Sequence, residues 1–409
     1  MNHAQRQRPA SADDRSIGMV LSEAGTDPGT SPAAVADMGP VRLRILRINP
    51  YLPPLPGGME KHVLRLSEEQ RRSGCEVAIL FSAGSASGPD DMRVLAQVPL
   101  RQARPQSLAA IVFHAAAAIR LLRGNPGFDV VHIHGDWSAF LFGPLLARLC
   151  GATVLVGSIH GRTRSDRWAG IYRWALRGYD IVYCTGAADA DWLRRAGVAC
   201  ARWQTSGVDD AFVGDALPTA TTCDVVCVAH CFPCKNLGLV LDIALAMPQS
   251  SFELIGDGPD RAGLERRCQD EGIANVRFSG TLTADGVRSR LGGARVCLST
   301  SFAEGTPTAV LEAMACGLPV VSSRSNDYSG LIVDGRNGYL VDGFSAPDYV
   351  APLRRLLDDE PGRRLVAVRN VQVGRTKVWW RVASTITQWM REVVMEKRRH
   401  RGERHRAGT

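Results

Sequence analysis

ARVCLSTSFAEGTPTAVLEAMACGLPVVSSR, residues 294–324, is a strand-like apolar run, a loop, an apolar helical stretch and a second strand-like run in succession. The outer runs ARVCLSTS and LPVVSSR are short and apolar, the pattern of strands buried on both faces. Between them stand Glu304 and Glu312, with Pro307 in between. On one continuous helix an eight-residue spacing is roughly 800° of rotation, leaving the carboxylates about 80° apart around the axis and about 12 Å apart along it. Proline is favoured in a first helical turn, so Glu304 is expected in the loop ahead of the helix and Glu312 within it.

The alternation continues outward. Upstream, VVCVAH reads as a strand, NLGLVLDIALAM as a helix, SFELIGDG as a strand entering a glycine turn, DRAGLERRCQDEG as a helix and NVRFSG as a strand. A Pro-, Thr- and Ala-rich joint near residues 214–222 separates these from an earlier set. There VRLRILRINP is a strand stopped by Pro50, MEKHVLRLSEEQRRSG a helix closed by Gly74, and CEVAILFS a strand. FDVVHIHG and TVLVGSIHG are strands that each end in His-Gly, with an apolar helix between them at about 138–149, and YDIVYCTG with AADADWLRRAG repeats the pattern. The reading is α/β: two domains with doubly wound parallel sheets, at 41–214 and 215–375. Ligands bind beyond the carboxyl ends of the strands in such sheets, so the site is expected in the cleft between the domains.

Composition narrows the class. The chain has 409 residues, 45% of them apolar, enough for ordinary hydrophobic cores. It has no unbroken apolar run of membrane-spanning length. The nearest stretch, SLAAIVFHAAAAIRLL at 107–122, is interrupted by His114 and Arg120 and reads as a packed helix. Residues 1–40 are polar and rich in Ala, Pro and Gly, read as a disordered leader without the pattern of a secretory signal. Eleven scattered cysteines without an export signal favour reduced thiols and a cytoplasmic location. The one cluster, Cys223, Cys227, Cys231 and Cys234, lacks the CxxC pairs of a zinc site, so no metal is expected. The formal charge is +8, much of it in Arg391, Lys397, Arg398, Arg399, Arg401, Arg404 and Arg406. Such a tail suits an anionic membrane surface or is a solvated end. No nucleic-acid motif accompanies it.

The candidate ligand groups lie at strand ends. The separation of Glu304 and Glu312 suits a ligand with two hydroxylated parts and fits poorly to a close carboxylate pair working on one bond. The turn Gly305-Thr306-Pro307-Thr308 leaves backbone N–H groups free at a helix start, where phosphate is stabilised; a capped helix with Glu in its first turn has the same pattern. Lys235, after the strand VVCVAH, could neutralise a phosphate, or be solvated. Gly57 and Gly58 precede a helix, where the backbone can approach an anion or simply turn. His134 and His160 end strands, able to serve a sugar hydroxyl or to rest as satisfied core histidines. FELIGDGP fits a wall of a nucleotide pocket. No GxxxxGK[ST] loop is present, so that ATPase machinery is not supported.

Taken together, PYLPPLPGGMEKHV, DVVHIHG, GSIHG, FELIGDGP and above all EGTPTAVLEAMACGLPVV resemble the retaining nucleotide-sugar glycosyltransferases of family 4, over about residues 41–395. The resemblance implies the two-domain GT-B fold and transfer from a nucleoside-diphosphate sugar to an acceptor hydroxyl, with the anomeric configuration kept and without a metal or cofactor. It implies that Glu304 contacts sugar hydroxyls, Glu312 the ribose, and His160 the reacting centre. It also implies that the N–H groups around Pro307 and Thr308, with Lys235 and Gly57-Gly58, hold the diphosphate. KVWWRVASTITQWMREVV resembles the family's terminal helix at 376–396, which crosses back to the first domain, with Trp379, Trp380 and Trp389 as packing anchors and a basic tail at 397–409.

One position departs from the family: His230 stands where an Arg is usual. A neutral imidazole offers only a directed hydrogen bond, so the expectations are weaker phosphate neutralisation, protonation by bound phosphate, or compensation from an Arg such as Arg324. The favoured donor is a UDP-sugar, with GDP-mannose next. The acceptor is a polysaccharide or glycolipid intermediate, with choice set by first-domain loops including Arg162 to Trp168, at the inner face of the membrane. The alternatives are an inactive nucleotide-binding or scaffolding relative and a nucleotide-sugar epimerase of the same fold.

Overall fold

A computed structural model describes residues 42–55, 57–94, 106–124, 127–161, 166–214, 221–302, 304, 305, 307–325, 328 and 331–407. The expected leader, the loop 162–165 and Thr306 lie outside these. In the first domain β1 (Arg44–Ile48), α1 (Gly58–Arg72), β2 (Glu76–Phe81), β3 (Met92–Arg93), α2 (Gln106–Leu122), β4 (Val130–His134), α3 (Trp137–Phe140) and α4 (Gly143–Leu149) are followed by β5 (Val154–Ile159), α5 (Asp166–Ala175), β6 (Ile181–Cys184), α6 (Ala187–Arg195) and β7 (Ala201–Trp203). The strands pair in parallel in the order β3-β2-β1-β4-β5-β6-β7.

In the second domain β8 (Cys223–Val228), α7 (Leu237–Ala246), β9 (Phe252–Ile255), α8 (Arg261–Asp270), β10 (Val276–Gly280), α9 (Ala284–Gly292) and β11 (Ala294–Ser299) lead to α10 (Thr308–Ala315), β12 (Val320–Ser323), β13 (Gly338–Val341), α11 (Ala346–Asp358) and α12 (Glu360–Thr376). Its sheet runs β10-β9-β8-β11-β12-β13, again parallel. Both faces are covered. Leu239, Val240 and Ile243 pack with Tyr349 and Leu353 in one cluster, while Val310, Leu311 and Met314 pack with Val226 and Val320 in another. Each sheet reverses its strand order at one seam, β1/β4 and β8/β11, and seams of this kind open crevices for ligands.

The stretch 294–324 folds as a strand, helix and strand for identifiable reasons. Pro307 is the N-cap residue of α10, one position ahead of the first turn. At the other end Gly317 adopts φ 87, and its N–H donates to the Met314 carbonyl while Leu318 N–H donates to the Ala313 carbonyl. These two bonds satisfy carbonyls that the helix leaves open, and the left-handed position needs glycine.

Two expectations change. The single helix at 138–149 is two, α3 and α4, because Pro144 cannot continue a helix and instead fits the first turn of a new one. The stretch 107–122 is a helix but is packed on one side only. Ala109, Phe113, Ala117, Ala118 and Leu121 are buried, while Leu108, Ile111, Val112, Ile119 and Leu122 are exposed, Leu122 at 69%.

The last helix, α13 (Trp379–Ala407), follows Val378, which is buried with second-domain residues, and packs on the first domain from Trp379, whose ring lies 5.2 Å from that of His62. Met390 and Val394 are fully buried, and Gln70 Nε2 donates to Thr387 Oγ1 at 2.8 Å. Two cations assigned to the tail are occupied in this packing: Lys397 pairs with Asp180 at 2.5 Å and Arg398 with Asp129 at 2.6 Å. Trp379 is buried, whereas Trp380 is 49% exposed beneath the Arg381 guanidinium and so is no internal anchor.

Candidate active site

The two seams face a cavity of about 490 Å³. Gly57 enters it from the β1–α1 connection, Gly58 and Lys61 from the first turn of α1 and His160 from just after β5; His230 and Lys235 enter from the segment after β8, Glu304, Gly305 and Pro307 from the β11–α10 connection, and Thr308 and Glu312 from α10. Thus Gly57, Gly58, His160, His230, Lys235, Glu304, Gly305, Pro307, Thr308 and Glu312 line one cavity, whereas His134, the other strand-end histidine, is buried outside its lining. The opposing loops are close: a Cβ on Gly305 would lie 2.8 Å from Thr185 Oγ1 and 3.4 Å from the Gly161 nitrogen, so a side chain here would have to displace the Thr185 hydroxyl. Helices leave their first N–H groups without internal acceptors, and α10 opens on the cavity at Thr308 and Ala309.

Two ion pairs organise the charge. Lys235 Nζ lies 2.5 Å from Glu304 Oε2 within the second domain. Lys61 Nζ lies 2.5 Å from Glu312 Oε1, joining α1 of the first domain to α10 of the second. Burial pushes the Glu312 carboxyl up, and the Lys61 ammonium only partly offsets this. Lys61→Ala is therefore expected to destabilise the fold by about 1–2 kcal/mol, the lower part of the range for a stranded buried charge because Lys61 is itself half exposed. Urea unfolding checks this. The double variant Lys61→Ala/Glu312→Gln should recover part of the loss, since it removes the charge left without a partner.

Behind His160 lies a group of buried histidines. Its Nε2 is 3.0 Å from His134 Nδ1, and the His134 and His132 rings are 4.2 Å apart between centroids. Burial, reinforced by the nearby Arg47 guanidinium, lowers the His160 pKa to about 3. His62, His132 and His134 are also held well below the usual value, chiefly by burial, and buried His114, in α2, is lowered to about 4. These rings are neutral in the fold, and unfolding returns each to an ordinary pKa near 6.5. Below about pH 6.5 the unfolded chain binds protons that the folded chain does not, so stability falls as pH falls, by about 1.4 kcal/mol per ring per pH unit. Thermal melts are expected to show a flat Tm above pH 7 and a steep fall between pH 6.5 and 4.5.

His230 is exposed at the cavity edge. The suggested compensation by Arg324 is overturned: that guanidinium is bound to Asp334 at 2.7 Å and Asp342 at 2.8 Å and does not line the cavity. Among the described lining residues the lysine and arginine cations are Lys61 and Lys235. Lys61 and Ser206 were missed in the sequence, as was the buried network of Arg47, His62 and Tyr183. The available signal was Arg47, a charge inside the otherwise apolar end of VRLRILRI.

Residues 56–210 match the family model described as Glycosyltransferase Family 4, and residues 219–371 match that described as Glycosyl transferases group 1. The chain is a family 4 glycosyltransferase. The transferase is 25% identical over 371 residues to the phosphatidyl-myo-inositol mannosyltransferase of Mycobacterium leprae, covering 84% of this chain and 95% of that one. To an Arabidopsis thaliana subunit of phosphatidylinositol N-acetylglucosaminyltransferase it is 26% identical over 311 residues, 70% of this chain and 68% of that one. Its architecture is GT-B, superposing with a TM-score of 0.72 and 18% identity on sucrose-phosphate synthase from Thermosynechococcus elongatus, over 87% of this chain and 100% of that chain. The transferase moves a sugar from a nucleoside-diphosphate sugar to an acceptor hydroxyl.

Proposed function

We propose that this transferase retains the anomeric configuration and glycosylates a hydroxyl on the head group of a membrane lipid. The donor is a UDP-hexose or UDP-N-acetylhexosamine, with GDP-mannose next. The observation that carries the retaining reading is the chemistry of the cavity wall. Its two described carboxylates, Glu304 and Glu312, are each held by a lysine. Its first-domain imidazole, His160, has a pKa of about 3 and is a poor base at neutral pH. A mechanism that inverts needs a base to take the acceptor proton. Here the departing phosphate takes it, on the same face of the sugar, while the protein aligns the two substrates and stabilises charge.

In this reading Glu312 accepts from the ribose hydroxyls and Glu304 from the sugar hydroxyls. Lys235, the α10 N–H groups and the Gly57-Gly58 backbone bind the diphosphate. His160, with His230 at the rim, supplies hydrogen bonds. The lipid acceptor is supported by the names of the two relatives and by the exposed apolar face of α2. Exposed Arg120, Arg123 and Arg148 flank that face, beside half-exposed Leu145, a combination suited to an anionic bilayer surface. No described helix is long and apolar enough to cross a membrane.

The test supplies purified protein with UDP- and GDP-sugars, vesicles containing phosphatidylinositol and soluble sugars, and follows both the lipid and the aqueous products. Label in the lipid fraction, with a product anomeric coupling equal to the donor's, is expected. An inverted anomer overturns the mechanism, and label confined to soluble products overturns the acceptor.

A further inference from the structure

A buried guanidinium sets the direction of a hydrogen-bond chain that ends in the cleft. Arg47, on β1, is fully buried. Its Nη1 donates to Ser67 Oγ at 2.5 Å and its Nη2 to Gln70 Oε1 at 2.6 Å, with His132 Nδ1 3.3 Å from Nη2. A guanidinium has no acceptor atom, so His132 Nδ1 must accept and the ring's proton must sit on Nε2. That nitrogen is 2.6 Å from Ser158 Oγ, which therefore accepts, leaving the Ser158 proton available to the neighbouring Tyr183 hydroxyl. Tyr183 Oη, having accepted, donates to His62 Nε2 at 3.1 Å. His62 then carries its proton on Nδ1, which donates to Ser206 Oγ at 2.9 Å.

The guanidinium fixes the His132 end, and with each hydroxyl donating to its next partner the chain runs outward from Arg47. It stops at Ser206, which lines the cavity beside Thr185 and His160. Because Ser206 Oγ is already an acceptor from His62, its own proton is turned away from the network. We infer that Ser206 is a substrate-binding residue whose hydroxyl donates to an oxygen of the bound nucleotide sugar, with Tyr183 and Arg47 as positioning residues acting through His62. The assignment rests on reading the cleft as the nucleotide-sugar site. It gives the first domain a donor there that neither the sequence motifs nor the ion pairs supply.

The experiment has two readouts. Long-range ¹H–¹⁵N correlation spectra of the unliganded protein report ring protonation, and are expected to show the Nε2–H form of His132 and the Nδ1–H form of His62. With the donor identified above, Ser206→Ala is expected to lower kcat/KM about tenfold, the upper end of what one neutral hydrogen bond contributes. Ser206→Thr should retain most activity. Tyr183→Phe should cost several-fold and release His62 from its single form, and the double variant Tyr183→Phe/Ser206→Ala should be no worse than Ser206→Ala. A wild-type His62 protonated on Nε2 overturns the chain. Wild-type kcat/KM in Ser206→Ala overturns the binding role, as does full additivity in the double variant. The spectra need no substrate, so a protein that turns over no nucleotide sugar but shows the expected ring forms would refute the functional reading and leave the chain intact.

Discussion

Lys235→Ala is expected to lower kcat by about 10²- to 10³-fold, the loss found when one preorganised charge-stabilising group is removed from an active site. Lys235 sits in the one-turn helix Pro233–Lys235 that follows β8, about one-fifth exposed, with Glu304 equally shielded. In so restricted a site an ammonium acts on developing phosphate charge far more strongly than it would in water. Glu304 holds the ammonium in place; in the proposed reading the donor diphosphate competes for it as the glycosidic bond breaks and charge accumulates on the leaving oxygen. Since that charge is greater in the transition state than in the bound donor, the effect should fall on kcat more than on KM. Lys235→Arg should recover only part of it, because a planar fork does not reproduce a point charge on a flexible stem. Steady-state kinetics with saturating acceptor checks this, and a change below about fivefold would remove Lys235 from the chemistry.

Gly256→Ala is expected to destabilise the second domain by about 3 kcal/mol or more and to abolish donor binding. Gly256 follows β9 with φ 138, and an added Cβ would lie 2.0 Å from the Ala229 carbonyl oxygen. Neither side can yield: Ala229 N–H donates to Ile255 O, and Gly256 N–H to Gly280 O. The positive φ costs about 1–3 kcal/mol for a residue with a side chain, and the overlap adds about 1–3 more. The displaced carbonyl belongs to the residue before His230, so the strain is delivered to the His230 side of the cavity. Gly263→Ala on α8 is the control. Its Cβ would meet nothing within 4 Å, and removing a helical glycine should stabilise by about 0.5–1 kcal/mol. Urea midpoints of the two variants should therefore move in opposite directions.

The difference between those glycines is invisible in a sequence, and it marks where sequence reading stops. Alternating apolar runs and glycine-ended helices carry the two sheets, because burial on both faces writes itself into each strand independently. The loop Glu304–Thr308 and the helix after it were legible for the same reason: their constraints are local. The Lys61–Glu312 pair spans 251 positions, and nothing near either residue indicates the other. His62 looks like one polar residue on an amphipathic helix until Tyr183 and Ser206 are brought against it. In α2 the error had another source. Phe113 and Leu121 lie on the inner face with three alanines while five other bulky residues lie outside, so a high apolar content concealed which side was covered. Arg324 failed as compensation because its two aspartates, ten and eighteen residues on, claim it locally.

The path of α13 makes the order of synthesis matter. Its packing against α1 and its links to Asp129 and Asp180 finish the surface of the domain that emerges first. Yet Trp379 follows Trp203, the end of that domain's last strand, by 176 residues. At about 5–20 residues per second, a ribosome needs about 9–35 s to cover that distance. Through that interval the groove destined for Met390 and Val394 stands open on a nascent chain whose sheet is already complete, a site where a holding chaperone would find its hydrophobic target.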